Sequence, residues 1–159
     1  LINGGTLWKP HIVSQITDSQ KNIVQTISPQ KISENIINND YANLVKEGMR
    51  AVVTRGTAQS LQQVSEEVAG KTGTAAKIEP SGVYSKSRYV ASFVGFAPVG
   101  DPRIVIYVML DEPYPQHFGG TVAAPVFKEI ANSTLRYLQI QPQEQKSNKE
   151  FYIADKATD

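Results

Sequence analysis

The alternation of apolar and polar positions in the second half of the chain predicts two paired strands followed by a helix. Tyr89 to Ala97 and Arg103 to Leu110 are rich in β-branched and aromatic residues and flank the turn residues 98–102, which indicates a β-hairpin. Residues 104–110 are apolar on both alternating faces, so this strand needs cover on both sides. Residues 122–138 carry one apolar stripe at helical spacing. Its members are Ala123, Val126, Phe127, Ile130, Ala131, Thr134, Tyr137 and Leu138. We therefore predict an antiparallel sheet between helical layers.

The first half predicts shorter elements. Leu7 to Ile16 and Ile23 to Ile27 are two extended pieces joined by a polar turn at 17–20. Ser28-Pro29 has the pattern of a helix N-cap with proline in the first turn. A second helix begins near Tyr41 and ends at Gly56. Its predicted buried face consists of Tyr41, Leu44, Val45, Gly48, Met49, Val52 and Val53.

The two ends of the chain suggest part of a larger domain followed by a tail. Asn3-Gly4-Gly5 has the composition of a glycine-closed helix end, so we expect the chain to begin in mid-fold. Beyond residue 139 the chain becomes polar and glutamine-rich, which predicts a mobile tail. We accordingly divide the chain into a domain portion, residues 1–139, and a tail, residues 140–159.

Composition excludes several classes of function. The 159 residues contain 16 Lys and Arg against 15 Asp and Glu, which gives no electrostatic reason to expect nucleic acid as a partner. Cysteine is absent, so disulfides and thiolate metal sites are excluded. His11 and His117 are the only histidines and lack ligand spacing, so we expect no metal and no cofactor. No run of about 18 apolar residues predicts a membrane span.

One small-residue strand, Val68 to Ala76, carries the candidate chemistry in its sequence Lys71-Thr72-Gly73-Thr74. Lys71 supplies a positive charge, Thr72 and Thr74 supply hydroxyl donors, and Gly73 lets a ligand strand lie against the backbone. A free N–H on such an edge can donate to a developing oxyanion. Glycine and threonine are also common in edge strands, and Lys-Thr-Gly occurs by chance. With Ser-x-x-Lys and Ser-Asp-Asn, however, this element is the signature of penicillin-binding proteins and related β-lactamases.

Five further segments extend the similarity in chain order from Asn3 to about Leu138. They are Asn3-Gly4-Gly5 with Pro10-His11, residues 48–53 with Gly56-Thr57-Ala58, residues 91–98, Asp101-Pro102-Arg103, and residues 119–127. Together with the Lys-Thr-Gly strand, they make the chain resemble the class B penicillin-binding proteins. Among these it is most similar to the septal peptidoglycan transpeptidases of cell division.

The resemblance implies the C-terminal portion of the α/β penicillin-binding transpeptidase fold, which is related to that of serine β-lactamases. It implies a serine D,D-transpeptidase that removes the terminal D-Ala of a stem peptide and passes the acyl group to an amine on a neighbouring peptide. β-Lactams would acylate the same serine. The expected partners are stem peptides, β-lactams, division proteins and the missing N-terminal half of the domain. The expected location is the periplasmic side of the inner membrane.

By the same motif matching, Lys71 and Thr72 would contact the substrate carboxylate region and the absent Ser-x-Asn motif. Thr74 would offer its hydroxyl to the carboxylate and its N–H to the oxyanion. In the family the Ser-x-x-Lys and Ser-x-Asn motifs precede the Asn-Gly-Gly segment. Two imitations occur here, Ser28-Pro29-Gln30-Lys31 and Ser33-Glu34-Asn35, but they stand almost back to back in a polar stretch. We predict that the nucleophile lies outside this chain and that the chain alone is inactive.

Two alternatives remain at this stage. One is a fragment or degenerate homologue that binds peptidoglycan or a division partner without chemistry, against which the intact Lys71-Thr72-Gly73 argues. The other is a serine β-lactamase or D,D-carboxypeptidase, against which the segment at 119–127 argues.

Two further clusters of polar residues lie outside the motif strand. Asp111-Glu112 suits a strand-end turn better than acid–base chemistry, because Pro113 and Pro115 follow. The residues Tyr84, Lys86, Arg88 and Tyr89 are expected in a loop beside the substrate groove.

Overall fold

A three-stranded antiparallel sheet is the centre of the structure, a computed structural model that describes residues 1–64 and 67–140. Its strands are β5 (Ala69–Ile78), β6 (Tyr84–Ala97) and β7 (Ile104–Asp111), in the order β5-β6-β7. The predicted β6–β7 hairpin is confirmed, with Ala97 opposite Ile104 and the Arg103 N–H donating to the Ala97 carbonyl at 3.0 Å. The prediction that Tyr84, Lys86, Arg88 and Tyr89 form a loop is wrong, because all four belong to β6.

The helix α2 (Gly119–Tyr137) packs against one face of this sheet. Phe93 of β6 meets Phe127 of α2 edge to face, with ring centroids 4.9 Å apart, and both side chains are fully buried. Around them lie Ala97, Val108, Ala123, Ala124, Ala131 and Leu135. The helix is confirmed, but the predicted stripe is partly wrong, since Val126, Ile130, Tyr137 and Leu138 are exposed. Apolar residues occupy more than one face of α2, and the sheet packs on the face where alanines allow the closest approach.

The helix α1 (Asn39–Thr54) is also confirmed, and Asn38 caps it by accepting a hydrogen bond from the Asp40 N–H at 2.7 Å. A short 3₁₀ helix, Gln59–Gln63, connects it to β5. The predicted buried face of α1 is only partly correct. Val53 lies in the core and Val52 packs against it, whereas the members of that face near the N-terminus, Tyr41, Leu44, Val45 and Gly48, are exposed. Only the C-terminal end of this face meets the core around β5.

Two small antiparallel ribbons precede α1. β1 (Leu7–Lys9) pairs with β4 (Gln30–Ser33), and β2 (Gln15–Thr17) pairs with β3 (Ile23–Thr26). The predicted turn after β2 is confirmed, because the Asp18 carboxylate accepts from the N–H groups of Gln20 and Asn22 at 2.8 and 2.9 Å. These bonds, with one from the Asn22 side chain, lower the pKa of Asp18. The single strand predicted over residues 7–16 is instead interrupted.

The prediction of a helix starting at Ser28-Pro29 is wrong, because strand β4 follows them. Pairing of Trp8 with Lys31 and of Lys9 with Gln30 prevails over the local capping pattern. Proline is compatible with this position, since it precedes the strand and interrupts no ladder hydrogen bond.

The sheet face opposite α2 is exposed along β7, where Val105, Tyr107 and Met109 have exposed fractions of 60%, 61% and 58%. Phe96 and Ala69, which pair with each other and lie on the same face, are buried. Among residues 1–64 and 67–140, no helix covers the part of this face that β7 forms. Of the predicted tail, residues 141–159 lie outside the described residues. No helix in the described residues is long and apolar enough to cross a membrane.

Candidate active site

The motif Lys71-Thr72-Gly73-Thr74 lies on β5, which is an edge strand of the sheet. Its four residues stand opposite Val94, Phe93, Ser92 and Ala91 of β6, respectively. Among the described residues β5 pairs with β6 alone, so its other edge is unpaired. An unpaired edge offers backbone N–H and C=O groups to an extended ligand. The predicted strand over residues 68–76 and its open edge are both confirmed.

The motif side chains alternate between the two faces of the sheet. Thr72 stands opposite Phe93, which packs on α2, so Thr72 and Thr74 lie on the α2 face. Lys71 and Gly73 lie on the opposite face. Lys71 is exposed, and no carboxylate of the described residues forms an ion pair with its ammonium group. The Lys71 side chain leaves the strand on the face opposite the two hydroxyl groups, but its ammonium group turns back to the strand beside Thr72.

Hydrogen bonds hold the Thr72 hydroxyl and the Lys71 ammonium group close together. Lys71 Nζ donates to the Thr72 carbonyl oxygen at 2.8 Å and lies 3.4 Å from Thr72 Oγ1. Thr72 Oγ1 is also 2.8 Å from Oγ1 of Thr57, which follows the end of α1. Three groups that can donate to an anion, one charged and two neutral, are thus linked at this edge.

Two glycines bring the N-terminus of α2 onto the motif strand. A Cβ atom on Gly119 would lie 2.2 Å from the Ser92 carbonyl oxygen and 2.5 Å from that of Gly73. A Cβ on Gly120 would lie 2.1 Å from the carbonyl oxygen of Thr57. Only residues without a side chain allow this approach, and both contacts are with backbone atoms that cannot rotate away.

The close approach gives Thr74 a partner. The Gly119 N–H donates to Thr74 Oγ1 at 3.2 Å, so a motif hydroxyl accepts from one of the first amides of α2. Phe118, the N-cap residue, offers no side-chain cap, and Thr74 takes over part of that role. Because a hydroxyl both accepts and donates, the proton of Thr74 remains available to a ligand.

The imitation serine motifs do not form a catalytic pair. In a Ser-x-x-Lys helix, residues i and i+3 share a face, whereas in a strand they point to opposite faces. Lys31 lies in strand β4, where its ammonium group pairs with Glu34 and lies over the Trp8 ring. Among the described residues, no serine hydroxyl is hydrogen-bonded to a lysine ammonium group.

A charged network closes the far end of the β5–β6 hairpin. Lys77 Nζ is 2.9 Å from Asp111 Oδ1 and 2.6 Å from Glu112 Oε1, and Arg88 pairs with Glu79. The bonds that Lys77 donates to Glu112 and Asp111 raise the pKa of Lys77, and the bond that Arg88 donates to Glu79 lowers the pKa of Glu79. Asp111 ends β7 and Glu112 adopts a φ of 50°, in agreement with the predicted strand-end turn. The carboxylates of this network are thus paired with Lys77 and Arg88, and we call this group of ion pairs the structural clamp.

An aromatic stack lies between this clamp and the motif. His117 stacks on Tyr89 with ring centroids 4.2 Å apart, and its other neighbour is Phe118 at 4.4 Å. Tyr89 stands opposite Ala76, two residues beyond Thr74 on the same face. Among the described residues, no group of His, Cys, Asp or Glu side chains could hold a metal ion.

For three residues of this site, the sequence did not predict an individual role. Thr57, Gly119 and Gly120 were noticed only as parts of segments that carry the resemblance. The paired glycines directly before a helix were a usable signal, because such a pair permits close approach of the helix terminus. No local pattern connects Thr57 with Thr72, since 15 residues separate them.

Comparison with known proteins extends this picture to most of the chain. The family described as penicillin binding protein transpeptidase domain matches residues 1–132. Stage V sporulation protein D of Bacillus subtilis (strain 168) is 35% identical over 159 residues, covering 99% of this chain and 24% of that protein. A probable peptidoglycan D,D-transpeptidase PenA of Neisseria flavescens is 36% identical over 126 residues, covering 78% of this chain and 31% of that protein.

Solved structures agree with the sequence relatives. The crystal structure of penicillin binding protein 3 from Mycobacterium tuberculosis, complexed with ampicillin, superposes with a TM-score of 0.77. The two chains are 29% identical, and the match covers 91% of this chain and 34% of the other. The chain thus spans between a quarter and about a third of each of these three proteins.

Proposed function

Because the chain belongs to the family of penicillin-binding protein transpeptidase domains, we propose that it forms the substrate-binding edge of a peptidoglycan D,D-transpeptidase. The serine nucleophile lies in a part of the longer protein outside residues 1–159. That serine attacks the carbonyl carbon preceding the terminal D-Ala of a stem peptide. The serine proton goes to the departing amine, D-Ala leaves, and an amine of a neighbouring peptide then takes the acyl group from the ester.

The observation that carries this proposal is the grouping of Lys71, Thr72 and Thr74 on a free strand edge. The terminal D-Ala carries a carboxylate, which needs a positive charge and hydroxyl donors. Thr72 and Thr74 are two strand positions apart, about 6.6 Å, so hydrogen bonds of about 2.7 Å from both hydroxyls can converge on one carboxylate. The substrate backbone then lies along the edge, and the Thr74 N–H is the proposed donor to the oxyanion.

Penicillin binding follows from the same chemistry. A penicillin presents a reactive amide next to a carboxylate, as the stem peptide does, and would acylate the same serine. The related protein from Mycobacterium tuberculosis was crystallised in complex with ampicillin, which supports the proposal for this chain.

The cellular role is proposed from the resemblance to septal enzymes. We place the longer protein at the periplasmic side of the inner membrane, cross-linking peptidoglycan at division together with division proteins. Depletion of the protein would then block septation and give filamentous cells, while a fluorescent fusion would concentrate at midcell. Normal septation after complete depletion would contradict the division role and leave the transpeptidase chemistry unaffected.

The chemistry is tested by labelling the longer protein with a fluorescent penicillin. We expect one stable adduct, on a serine outside residues 1–159, and no adduct on residues 1–159 alone. An adduct at Ser28 or Ser33 would contradict the assignment of the nucleophile. Absence of any adduct on the longer protein would favour a non-catalytic binding module.

A second measurement separates the transpeptidase from its enzymatic alternatives. The acyl-enzyme formed from a stem-peptide thioester is offered water or an amine acceptor. We expect the acyl group to pass mainly to the amine. Transfer only to water would indicate a D,D-carboxypeptidase, and rapid repeated turnover of penicillin would indicate a β-lactamase.

A further inference from the structure

The hydrogen bond between Thr57 and Thr72 has no role in the function proposed so far. Thr57 Oγ1 lies 2.8 Å from Thr72 Oγ1, and the Thr57 side chain is exposed at the edge of the site. A hydroxyl has one proton to donate and two lone pairs that accept. The direction of this bond therefore decides which proton is left for a ligand.

The surroundings of Thr72 favour Thr57 as the donor. Lys71 Nζ, which can only donate, lies 3.4 Å from Thr72 Oγ1 on one side. If Thr57 donates as well, both lone pairs of Thr72 Oγ1 have partners within the protein. The proton of Thr72 then has to point elsewhere, toward the unpaired edge of β5. In the reverse direction the Thr72 proton would be used internally and lost to a ligand.

Thr57 is held firmly enough to fix this geometry. Its carbonyl oxygen lies against Gly120, at a point where a Cβ would come within 2.1 Å. The next residue, Ala58, is buried in the core, and its N–H donates to the Val52 carbonyl at 3.1 Å. The main chain on both sides of Thr57 is thus anchored to α1 and to the N-terminus of α2.

Thr74 has a corresponding arrangement through another donor. Its Oγ1 accepts from the Gly119 N–H at 3.2 Å, which leaves its own proton free. The two motif hydroxyls therefore share one design: a donor outside the strand occupies the acceptor side of each and turns the proton outward. For Thr74 this donor is a backbone amide, and for Thr72 it is the Thr57 side chain.

We propose that Thr57 is a positioning residue for carboxylate recognition, which donates to Thr72 and aims the Thr72 proton at the ligand. This inference rests on the proposed function and deepens it. Thr57 acts through Thr72, so its effect depends on the presence of the Thr72 hydroxyl and on a ligand carboxylate. A threonine that merely joined α1 to β5 would affect all ligands alike.

The test uses the longer protein and a penicillin in two forms, the free carboxylate and its methyl ester. Second-order acylation rates are measured for wild type, Thr57→Val, Thr57→Ser, Thr72→Val and the double variant. Valine keeps the shape of threonine and removes the hydroxyl, and serine keeps the hydroxyl. Thr54→Val is the matched control, because Thr54 ends α1, is exposed, and has no side-chain hydrogen bond in the described part of the chain.

We expect Thr57→Val to slow acylation by the carboxylate form about tenfold, the size of one hydrogen bond to a charged group. The ester rate should change less than twofold, and Thr57→Ser should recover most of the loss. In the Thr72→Val background, Thr57→Val should cause no further loss, since the residue through which it acts is gone. Thr54→Val should behave as wild type.

Three results would overturn the inference: an unchanged carboxylate rate in Thr57→Val, an equal loss for carboxylate and ester, or a full additional loss in the Thr72→Val background. Melting curves of each variant would exclude unfolding as the cause. If wild type itself formed no adduct with either compound, the proposed function would fail and the inference with it. The inference fails while the proposed function stands if wild type is acylated normally and the variants give any of these three results.

Discussion

Lys71 is the residue on which the charge of the proposed site depends. Its ammonium group donates to the Thr72 carbonyl, lies beside the Thr72 hydroxyl, and forms no ion pair among the described residues. A cation that is exposed and lacks an internal carboxylate is available to an external anion. A functional measurement distinguishes this role from that of an ordinary solvated lysine.

The first prediction compares Lys71→Ala with Lys71→Arg in the longer protein. Arginine keeps the charge but changes the shape of the donor. We expect Lys71→Ala to lose about ten- to a hundredfold in the rate of penicillin acylation, because one charge-assisted contact is worth about 1.5–3 kcal/mol. Lys71→Arg should retain more of the rate. Lys128→Ala is the control, since the Lys128 ammonium group bonds to Gln63 and to no residue of the motif in the described part of the chain. Equal rates in all variants, at equal melting temperature, would contradict the role of Lys71.

The second prediction at the residue scale concerns Gly119. Alanine there would force a Cβ to within 2.2 Å of the Ser92 carbonyl oxygen, and neither backbone can move without opening the contact between α2 and β5. We expect Gly119→Ala to destabilise the domain by about 3 kcal/mol, at the upper end of the usual cost of overpacking. Calorimetry would detect this as a lower melting temperature.

Gly48 supplies the matched comparison for Gly119. It lies within α1, and a Cβ there meets no atom within 4 Å. Gly48→Ala should stabilise the domain by about 1 kcal/mol, because alanine is the better helix former. A melting temperature of Gly119→Ala equal to that of wild type would mean that the α2 terminus does not lie on the strand.

At the scale of elements, the β5–β6 hairpin is fastened at both ends by different means. Near the motif, α2 and the connection after α1 supply hydrogen bonds to Thr74 and Thr72. At the far end, ion pairs link Lys77 of β5 with Asp111, the last residue of β7, and with Glu112, the next residue. The hairpin turn itself is closed by backbone bonds of 2.8 Å from Glu79 to Val83 and from Gly82 to Glu79. The edge strand β5 is therefore fastened near both ends, although no strand of the described residues pairs with its outer edge.

The third prediction concerns the pH dependence of this turn. The bond from Arg88 lowers the pKa of Glu79 below its ordinary value of 4.5, so the folded turn binds fewer protons than the unfolded chain. The stabilisation of the folded turn by Glu79 is present above this ordinary pKa and is lost as the pH falls through the pKa that Glu79 has in the folded turn. We expect the hydrogen-exchange protection of residues 77–90, relative to the unstructured rate at each pH, to decrease below about pH 4.5.

Two variants decide whether Glu79 is responsible. Glu79→Gln should have lower protection at neutral pH and a flatter pH profile. Glu47→Gln is the control, since among the described residues the Glu47 carboxylate forms a single ion pair, a long 3.8 Å contact with Arg50. A profile for Glu79→Gln that follows wild type down to low pH would assign the acid sensitivity to another carboxylate.

At the scale of the whole molecule, α2 covers one face of the sheet, and the other face is exposed along β7. The core around Phe93 and Phe127 lies between the sheet and α2, whereas Val105, Tyr107 and Met109 project from the other face of β7. Several apolar side chains of α1 and of the N-terminal ribbons are also exposed. Contiguous apolar surface of this kind drives association. In the proposed function, the remainder of the domain covers the open face.

The fourth prediction is that residues 1–159 alone associate or aggregate. Sedimentation velocity at several concentrations should show oligomers or loss of soluble protein. The variant Val105→Lys with Met109→Lys places two charges on the open face and should shift the distribution toward monomer. The same two substitutions in the longer protein should destabilise it, because there the face is buried. A wild-type chain that sediments as a monomer and melts cooperatively would contradict this prediction.

Much of the fold and the position of the motif could be determined from the sequence alone. The β6–β7 hairpin, the strand that carries Lys71-Thr72-Gly73-Thr74, and both helices follow from local periodicity and turn residues, which are properties of neighbouring positions. The ordered segments from Asn3 onward identified the family, and the match over residues 1–132 confirms it. The chemistry of a lysine beside hydroxyl donors was also readable, because it depends on residue types within a single strand.

Tertiary structure alone decided which apolar faces are buried and which residues meet at the site. Both α1 and α2 carry apolar side chains on more than one face, so the sequence alone does not determine which face is buried. The buried face is the one that can approach the sheet closely. Ser28-Pro29 has a local pattern typical of a helix start, but these residues precede strand β4. Pairing of β4 with the distant strand β1 outweighs the local capping pattern. Thr57 and Gly119 reach the motif from positions 15 and 45 residues away from their partners. Contacts between such distant positions depend on how the elements pack, and no local pattern of residues encodes them.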